Sequence, residues 1–600
     1  MQKQKVKKSR PQSFLQGAMV LTISMIVVKL CGMVYKIMLT RIYAMFGDDL
    51  AGIGTGLFNN AYEIYIPLFT LATAGFPIAV SRLISENMAK ERYNDVKMIH
   101  KVSKPFFIIM GLVCFLLMVI LSFVYVDIVK SPYSIYAMMT LAPSIFFGCI
   151  VSIYRGYFEG QRNMTPTAIS EIVEAATKML FGLTMAYVVM QVGMNEYEKS
   201  TTIFGQSFST QTEAVYTLIS YSVAVAIFSI SLGGLLSYIS LRIIYHLKRN
   251  DIPKEYYENS VEARSKRETF NMLLKTAIPI GLAALVMSIS STIDSIVIQN
   301  VLYNMAENKP AEFLAQFDGK LDSYIPKNPT KANPIVIHTY LWGAFGCALT
   351  VMQLVTAVTQ AFGTSAMPAV TNAYTKGDKK ELKNAIETVL KLTSIFTFPA
   401  GIGMFVLAEP IMMMLYGSQE DMYFAQIGAD VLKVMGFSVI FIAISTPICS
   451  MLQGVGRIDM PLKLYSVAMV MKIVANYAFV SIVSINICGA AVGSLIAYVF
   501  VCVVGMYFLI KRAGVVPDFL QTVIKPCIGS LVCGGAAYLA YELLSKVCSD
   551  AISTIVSIVI AAVFYLISLL LLHTFSENEI NKLPKSKNIV TILAKLHLLR

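Results

Sequence analysis

Apolar runs of about 20 residues recur from one end of this 600-residue chain to the other, and each is long enough to carry a helix across about 30 Å of hydrocarbon. Their approximate limits are 14–40, 50–76, 104–127, 133–157, 166–191, 213–241, 270–303, 336–370, 383–408, 424–452, 461–484, 487–510, 519–541 and 550–574. The residues are 56% hydrophobic and 14% charged, where soluble domains carry about 25% charge. Transmembrane strands would read as ten-residue alternations, and the sequence lacks them. The expected fold class is therefore an all-α integral membrane protein with fourteen transmembrane helices.

Charge placement tests that layout. A net charge of +13 would point to nucleic acid in a soluble protein, but in a membrane protein basic residues mark the cytoplasmic side. With the N-terminus inside, 34 Lys and Arg fall on the inner side and 8 on the outer, and the remaining 7 of the 49 lie within spans. Both termini are predicted to be cytoplasmic, in a multi-pass membrane protein with no nucleic-acid partner. The basic start, with Lys3, Lys5, Lys7, Lys8 and Arg10, precedes an apolar run that lacks a clear small-x-small cleavage site, so an uncleaved first helix is expected.

An internal repeat supports the same arrangement. The end of span 2, AGFPIAVSRLISENMAKERYNDVKM (74–98), resembles the end of span 8, SAMPAVTNAYTKGDKKELKNAI (365–386). The exit from span 4, YRGYFEGQRNMTPTAISEIVEAATK (154–178), resembles the exit from span 10, CSMLQGVGRIDMPLKLYSVAMVMK (449–472). In the latter pair a Gly-rich basic turn leads to a Pro that opens the next helix, where its missing N–H costs nothing. Pro77 and Pro368 are 291 residues apart, Pro166 and Pro461 are 295 apart. Two anchors with nearly one offset imply a duplicated six-helix unit, both copies in one orientation, plus two appended helices. The predicted organisation is a basic tail (1–13), an N-lobe (14–250), a cytoplasmic linker (251–269), a C-lobe (270–512), helices 13–14 (519–575) and a tail (576–600). Within the C-lobe, 304–335 is a polar extracellular insertion, either a solvated loop or an outer gate.

Seven Lys residues lie inside the spans: Lys29, Lys36, Lys178, Lys275, Lys391, Lys433 and Lys472. A charge near the bilayer centre costs about 2.5–3.5 kcal/mol on insertion scales and faces a bundle interior or a water-filled cavity. Lys29 and Lys36 are seven residues apart, so about 20° apart on one helical face, with Gly32 between them and Arg41 beyond. That stripe either pairs with carboxylates or lines an anion cavity. Lys275 and Lys472 join it as candidate cavity cations, while Lys391 and Lys433 fall toward helix ends and can snorkel. Glu171, Glu174 and Lys178 share one face of span 5, with Glu174 and Lys178 in a favourable i,i+4 order. Glu63 and Asp294 are isolated acids in apolar surroundings, candidates for a counter-ion or a coupling proton or Na⁺. Arg155 and Glu159 at the base of span 4, with Arg457 at the matching place in the repeat, are candidates for an inner gate.

Other chemistries lack their motifs. There is no phosphate-binding Gly-x4-Gly-Lys-Ser/Thr loop and no potassium-channel filter. The five His residues are scattered, and the ten Cys residues lie mostly in apolar segments with no Cys-x-x-Cys, which reads as small core side chains. An enzyme is not expected, nor a bound cofactor beyond a coupling ion or the membrane potential.

Span 1, with Lys29, Gly32, Tyr35, Lys36 and Arg41, resembles the first helix of bacterial lipid-linked polysaccharide flippases. YEIYIPLFTLATAGFPIAVSRLISE (62–86), YFEGQRNMTPTAISEIVEA (157–175) and LQGVGRIDMPLK (452–463) carry the same likeness. It is specific to the stage V sporulation protein B and lipid II flippase branch of the multidrug/oligosaccharidyl-lipid/polysaccharide exporter superfamily, and covers roughly residues 14 to 575. The resemblance implies two six-helix lobes around a V-shaped cavity, a groove lined by the last two helices, and a protein that works as a monomer among membrane lipids. It also implies translocation of an undecaprenyl-pyrophosphate-linked glycan, with lipid II foremost, by alternating access. Cavity cations are then expected on helices 1, 2 and 8. Lys29 falls at such a position and Lys36 at or beside a second, whereas spans 2 and 8 offer Glu63 and His338 in place of a mid-membrane Arg. Two alternatives stay open: another lipid-linked polysaccharide unit as substrate, or Na⁺- or H⁺-coupled multidrug export.

Overall fold

The computed structural model describes residues 14–574 except 48, 74, 209, 249–253, 259, 318–332, 418–421 and 458. The predicted tails 1–13 and 576–600 lie outside the described residues, as do 251–253 and 259 of the predicted linker and 318–332 of the 304–335 insertion.

Among the described residues the regular structure is helical, apart from one short hairpin. The helices are α1 (Phe14–Ala44), α2 (Leu50–Thr73), α3 (Gly75–Ala89), α4 (Tyr93–Val129), α5 (Ile135–Gly160), α6 (Thr165–Thr177), α7 (Leu183–Ser200) and α8 (Gln211–Lys248). They continue with α9 (Lys254–Glu258), α10 (Lys266–Asn308), α11 (Pro310–Ala315), α12 (Pro334–Lys376), α13 (Lys379–Val406), α14 (Ala408–Tyr416) and α15 (Met422–Gly454). The last four are α16 (Met460–Val480), α17 (Cys488–Ala513), α18 (Lys525–Leu544) and α19 (Asp550–Leu571). Strands β1 (Thr202–Ile203) and β2 (Gln206–Ser207) pair antiparallel between α7 and α8.

Among the described residues, thirteen helical segments are long and apolar enough to cross a membrane. They coincide with thirteen of the predicted spans. The predicted span 270–303 falls inside α10, part of whose side chains lies outside the described residues, and is not among the thirteen. The 304–335 segment is not wholly a loop. Helix α10 continues to Asn308, and α11 follows, anchored by buried Phe313 and Leu314.

Contacts divide the chain into two compact units. The first comprises residues 1–303 with 338–343, so α10 packs with the first six spans up to Tyr303. In it α5 is central, packed on α2, α3, α4 and α8, while α6 lies between α1 and α8. Close approach is built from small residues: a Cβ on Gly52 would overlap the Tyr340 ring, one on Gly56 the Thr339 carbonyl, and one on Gly343 the Gly52 carbonyl. Such small-xxx-small faces replace the hydrophobic drive that lipid cannot supply between helices.

The second unit comprises 304–337 and 344–600. Here α15 is central, packed on α13 and α17, with α16 on α17. Leu382, Ile386, Leu390, Met451, Leu452, Val501 and Leu509 form its core. Helices α18 and α19 pack together, and α18 on α13, around Cys533, Ala537, Tyr565 and Leu569. The Tyr565 hydroxyl donates to the Ile395 carbonyl at 2.9 Å, tying the added pair to α13.

One pair of turns matched in the sequence also matches in backbone detail. After α5, Arg162 takes a left-handed conformation (φ 58°), and the Asn163 N–H reaches back to Phe158 O at 3.0 Å. After α15, Gly456 does the same (φ 84°), and the Arg457 N–H reaches Leu452 O at 2.9 Å. Both are Schellman-type endings, and Pro166 and Pro461 then stand in the first turns of α6 and α16. All ten Cys residues are free thiols.

Candidate functional site

Helix α6 organises a cavity of about 520 Å³ within the first unit, lined by α1, α2, α5, α6 and α8. Its polar lining comes from Lys29 on α1, Tyr62 on α2, Arg155 and Glu159 on α5, Glu171 and Glu174 on α6, and Lys178 just after. Three basic and three acidic groups thus meet in one recess of an otherwise apolar bundle.

The hydrogen bonds place these groups at successive levels along α6. Nearest the turn that joins α5 to α6, the Thr167 hydroxyl donates to Glu159 Oε1 at 3.0 Å. Next, the Ser24 hydroxyl of α1 donates to Glu171 Oε2 at 2.7 Å. At the level of Glu171 and reaching one turn further, Arg155 Nε donates to the Ser170 hydroxyl at 2.9 Å, and its Nη2 pairs with Glu174 Oε2 at 3.3 Å. Lys178 comes last. Its ammonium lies 4.6 Å from the centre of the Tyr35 ring, 5.6 Å from Phe58 and 5.5 Å from Tyr62, and donates to the Tyr62 hydroxyl at 3.1 Å.

Lys178 also opens a π-helical turn, Lys178–Gly182. Such turns insert a residue into the helical register and occur often at functional sites. Helices α1 and α6 run parallel here, because Ser24 meets Glu171 while Tyr35 meets Gly182, eleven residues on in each. Lys29 therefore sits between the levels of Glu174 and Lys178. Glu159 and Glu171 lie toward the turn end and the two ammonium groups toward the far end, while the Arg155 guanidinium reaches from Ser170 to Glu174.

Several expectations change. The Glu174–Lys178 pair suggested by i,i+4 spacing gives way to Arg155–Glu174, because Lys178 is drawn onto three rings from α1 and α2. Lys29 and Lys36 share a face of α1 but not a site: Lys36 donates to Asn59 Oδ1 of α2 at 2.9 Å, and the Asn59 amide donates to the Trp342 carbonyl at 3.4 Å. Lys391 does not snorkel; it is 8% exposed within α13. Lys433 is half exposed and pairs with Asp430 at 3.1 Å.

The other candidates lie apart from the cavity lining. Arg41 is exposed at the end of α1 and Lys275 on α10, while Lys472 is half-buried on α16. Glu63 is half-buried on α2, where its carbonyl accepts from the Thr292 hydroxyl of α10 at 2.6 Å. Asp294, two residues on, is buried, and beside it Ser295 and Gln299 bond to each other and to Tyr125. Arg155 and Glu159 face the cavity. Arg457, their repeat counterpart, lies 3.7 Å from Asp459, whose carboxyl is held below its ordinary range by the hydrogen bond from Lys463.

Sequence reasoning did not single out Tyr35, Tyr62, Ser24 or Thr167 as site residues. Nothing local marks them, since each acts on a group 8 to 147 positions away in sequence. Among the described residues no cluster of three or more His, Cys, Asp and Glu is arranged to hold a metal ion.

Comparison with known proteins gives concordant likenesses. Residues 14–306 match the family model described as Polysaccharide biosynthesis protein, and 342–478 match the MatE model. Lipid II flippase MurJ of Bacillus subtilis (strain 168) is 20% identical over 510 residues, 83% of each chain. Stage V sporulation protein B of the same organism is 20% identical over 575 residues, 96% of this chain and 98% of that protein. Among solved structures, lipid II flippase MurJ in an inward closed conformation superposes with a TM-score of 0.60 at 14% identity, covering 92% of this chain and 98% of that one. An inward-facing multidrug resistance MATE family transporter of the MOP superfamily gives 0.55 at 15% identity, covering 83% and 98%. At such identities the structural likenesses establish the fold.

Proposed function

The chain belongs to the multidrug/oligosaccharidyl-lipid/polysaccharide exporter superfamily, in its polysaccharide and lipid II flippase branch, and on that footing we propose that it translocates a lipid-pyrophosphate-linked glycan across the bacterial cytoplasmic membrane. The peptidoglycan precursor lipid II is the foremost candidate, in growth or in sporulation. The observation that carries the reading is the cavity in which Lys29, Arg155 and Lys178 line one recess among apolar helices. A pyrophosphate brings about two negative charges, which a low-dielectric bundle accepts only beside compensating cations. Lys suits a moving phosphate because it is a point charge without the fixed fork of Arg. The polyprenyl tail stays in lipid while the headgroup uses the cavity, and both chain termini face the cytoplasm.

Replacing Lys29 and Lys178 together by Met tests this. Reconstituted double variant is expected to translocate a polyprenyl-pyrophosphate glycan at least about tenfold more slowly than wild type, equivalent to about 1.4 kcal/mol of lost stabilisation. An unchanged rate with equal protein incorporation overturns the assignment. A second reading, export of an organic cation, draws on Glu159, Glu171 and Glu174 in the same cavity; protein-dependent efflux of a cationic dye, with no movement of the glycan lipid, would favour it.

A further inference from the structure

Apart from the cavity, rings and cations gather near the start of α4 and the end of α8, on the side predicted to be cytoplasmic. The Lys104 ammonium of α4 lies 5.7 Å from the centre of the Tyr154 ring of α5 and 5.5 Å from that of Tyr245 on α8. Tyr154 also meets the Tyr238 ring of α8 at 5.9 Å, and Arg242 Nη1 donates to the Tyr238 hydroxyl at 3.4 Å. His100 of α4, buried, stacks on Tyr245 at 5.0 Å and meets Tyr157 of α5 at 4.8 Å. One ring cluster thus joins three helices of the first unit and carries Lys104 and Arg242 on it.

A ring face attracts an ammonium without cancelling its charge, and the Tyr238 hydroxyl is a neutral partner for Arg242. Arg242 itself is exposed, and so is Lys101, three residues before Lys104 on α4. Toward the membrane, Ile108 and Leu112 follow Lys104 at four-residue steps, and Ile239 lies three residues before Arg242 on α8; all three are exposed. Cations at the membrane surface, with exposed apolar side chains below them, complement a phosphate above and acyl chains beneath. Arg matches phosphate oxygens with its planar fork, and Tyr hydroxyls donate beside it. A zwitterionic headgroup would bring its own cation against Lys101, Lys104 and Arg242, so like-charge repulsion favours a lipid with net negative charge. We propose that this face of the first unit binds an anionic phospholipid of the adjoining leaflet, its phosphate at Lys104 and Arg242 and its acyl chains along α4 and α8. The lipid here is a bound ligand and not the cargo, so the proposal stands independently of the transport reading.

Native mass spectrometry of the full-length protein in neutral detergent, titrated with dioleoyl phosphatidylglycerol or dioleoyl phosphatidylcholine, tests this. Wild type is expected to hold its first phosphatidylglycerol at least about fivefold more tightly than its first phosphatidylcholine. The Lys104→Gln, Arg242→Gln double variant should bring the two affinities to within about twofold. Lys546→Gln, in an exposed pair with Glu542, should keep the wild-type difference. Arg242→Gln alone changes an exposed side chain and should lose part of the preference, so the result does not depend on disturbing the ring-packed Lys104. Equal affinities in wild type overturn the inference, and so does a preference kept in both the single and the double variant. Full displacement of phosphatidylglycerol by an equimolar polyprenyl phosphate assigns the site to the transported lipid and overturns the phospholipid assignment.

Discussion

An ammonium group set among Tyr35, Phe58 and Tyr62 is stabilised by the negative faces of three rings, a contribution of about 0.5–2 kcal/mol that grows as water is excluded. That arrangement frees Glu174 for Arg155, which the Ser170 hydroxyl orients from the other side. The pair is partly exposed to the cavity, with 22% and 37% of the two side chains accessible, so its net worth is modest. Combining Arg155→Gln with Glu174→Gln in a double-mutant cycle on thermal unfolding of the purified protein is expected to give a coupling of about 0.5–1 kcal/mol. A coupling near zero would show that the pair does not hold α5 to α6. Only part of this was legible beforehand. Lys29, Arg155, Glu159, Glu171 and Glu174 stand out as charges in apolar runs, but their partners do not. Lys29 and Lys36 share a face on any helical wheel, yet α1 borders α6 at one level and α2 at the next, so seven residues of helix exchange one environment for another.

At the scale of elements, α2 approaches the start of α12 closely through Gly52, Gly56 and Gly343, where no Cβ would fit. Gly52 and Gly56 lie one turn apart on one face, and Tyr340 and the Thr339 carbonyl fill the space that side chains would need. Gly52→Leu is expected to cost about 1–3 kcal/mol by overpacking. It should lower the unfolding temperature of detergent-solubilised protein, while Gly403→Ala, where a Cβ meets nothing within 4 Å, should leave it nearly unchanged. Equal effects of the two would contradict the close approach. The left-handed turns at Arg162 and Gly456 belong to this scale as well. Their Gly-rich basic sequences and following prolines showed the repeat in advance, because turn chemistry is local. The π-helical turn at Lys178–Gly182 was not visible in the sequence, and Lys178 at its start meets rings supplied by α1 and α2.

For the whole molecule, hydropathy outlines the membrane spans, since burial in lipid demands long apolar runs whatever the tertiary contacts. Thirteen of the fourteen predicted spans reappear among the described residues. Grouping of the helices was less legible: α10 up to Tyr303 packs with the first unit, although in sequence it opens the second repeat. Helix-to-helix grouping depends on which faces meet, and an apolar helix surrounded by lipid and by other apolar helices carries little sequence record of that choice. A defined polyprenyl-pyrophosphate glycan with a fluorescent label, placed in sealed vesicles containing the purified protein and challenged with a membrane-impermeant quencher, tests the central claim most directly. If the protein is a flippase for such lipids, the fraction protected in the inner leaflet disappears over time with wild type and persists far longer with the Lys29→Met, Lys178→Met variant. Persistence of the protected fraction with wild-type protein would contradict the account.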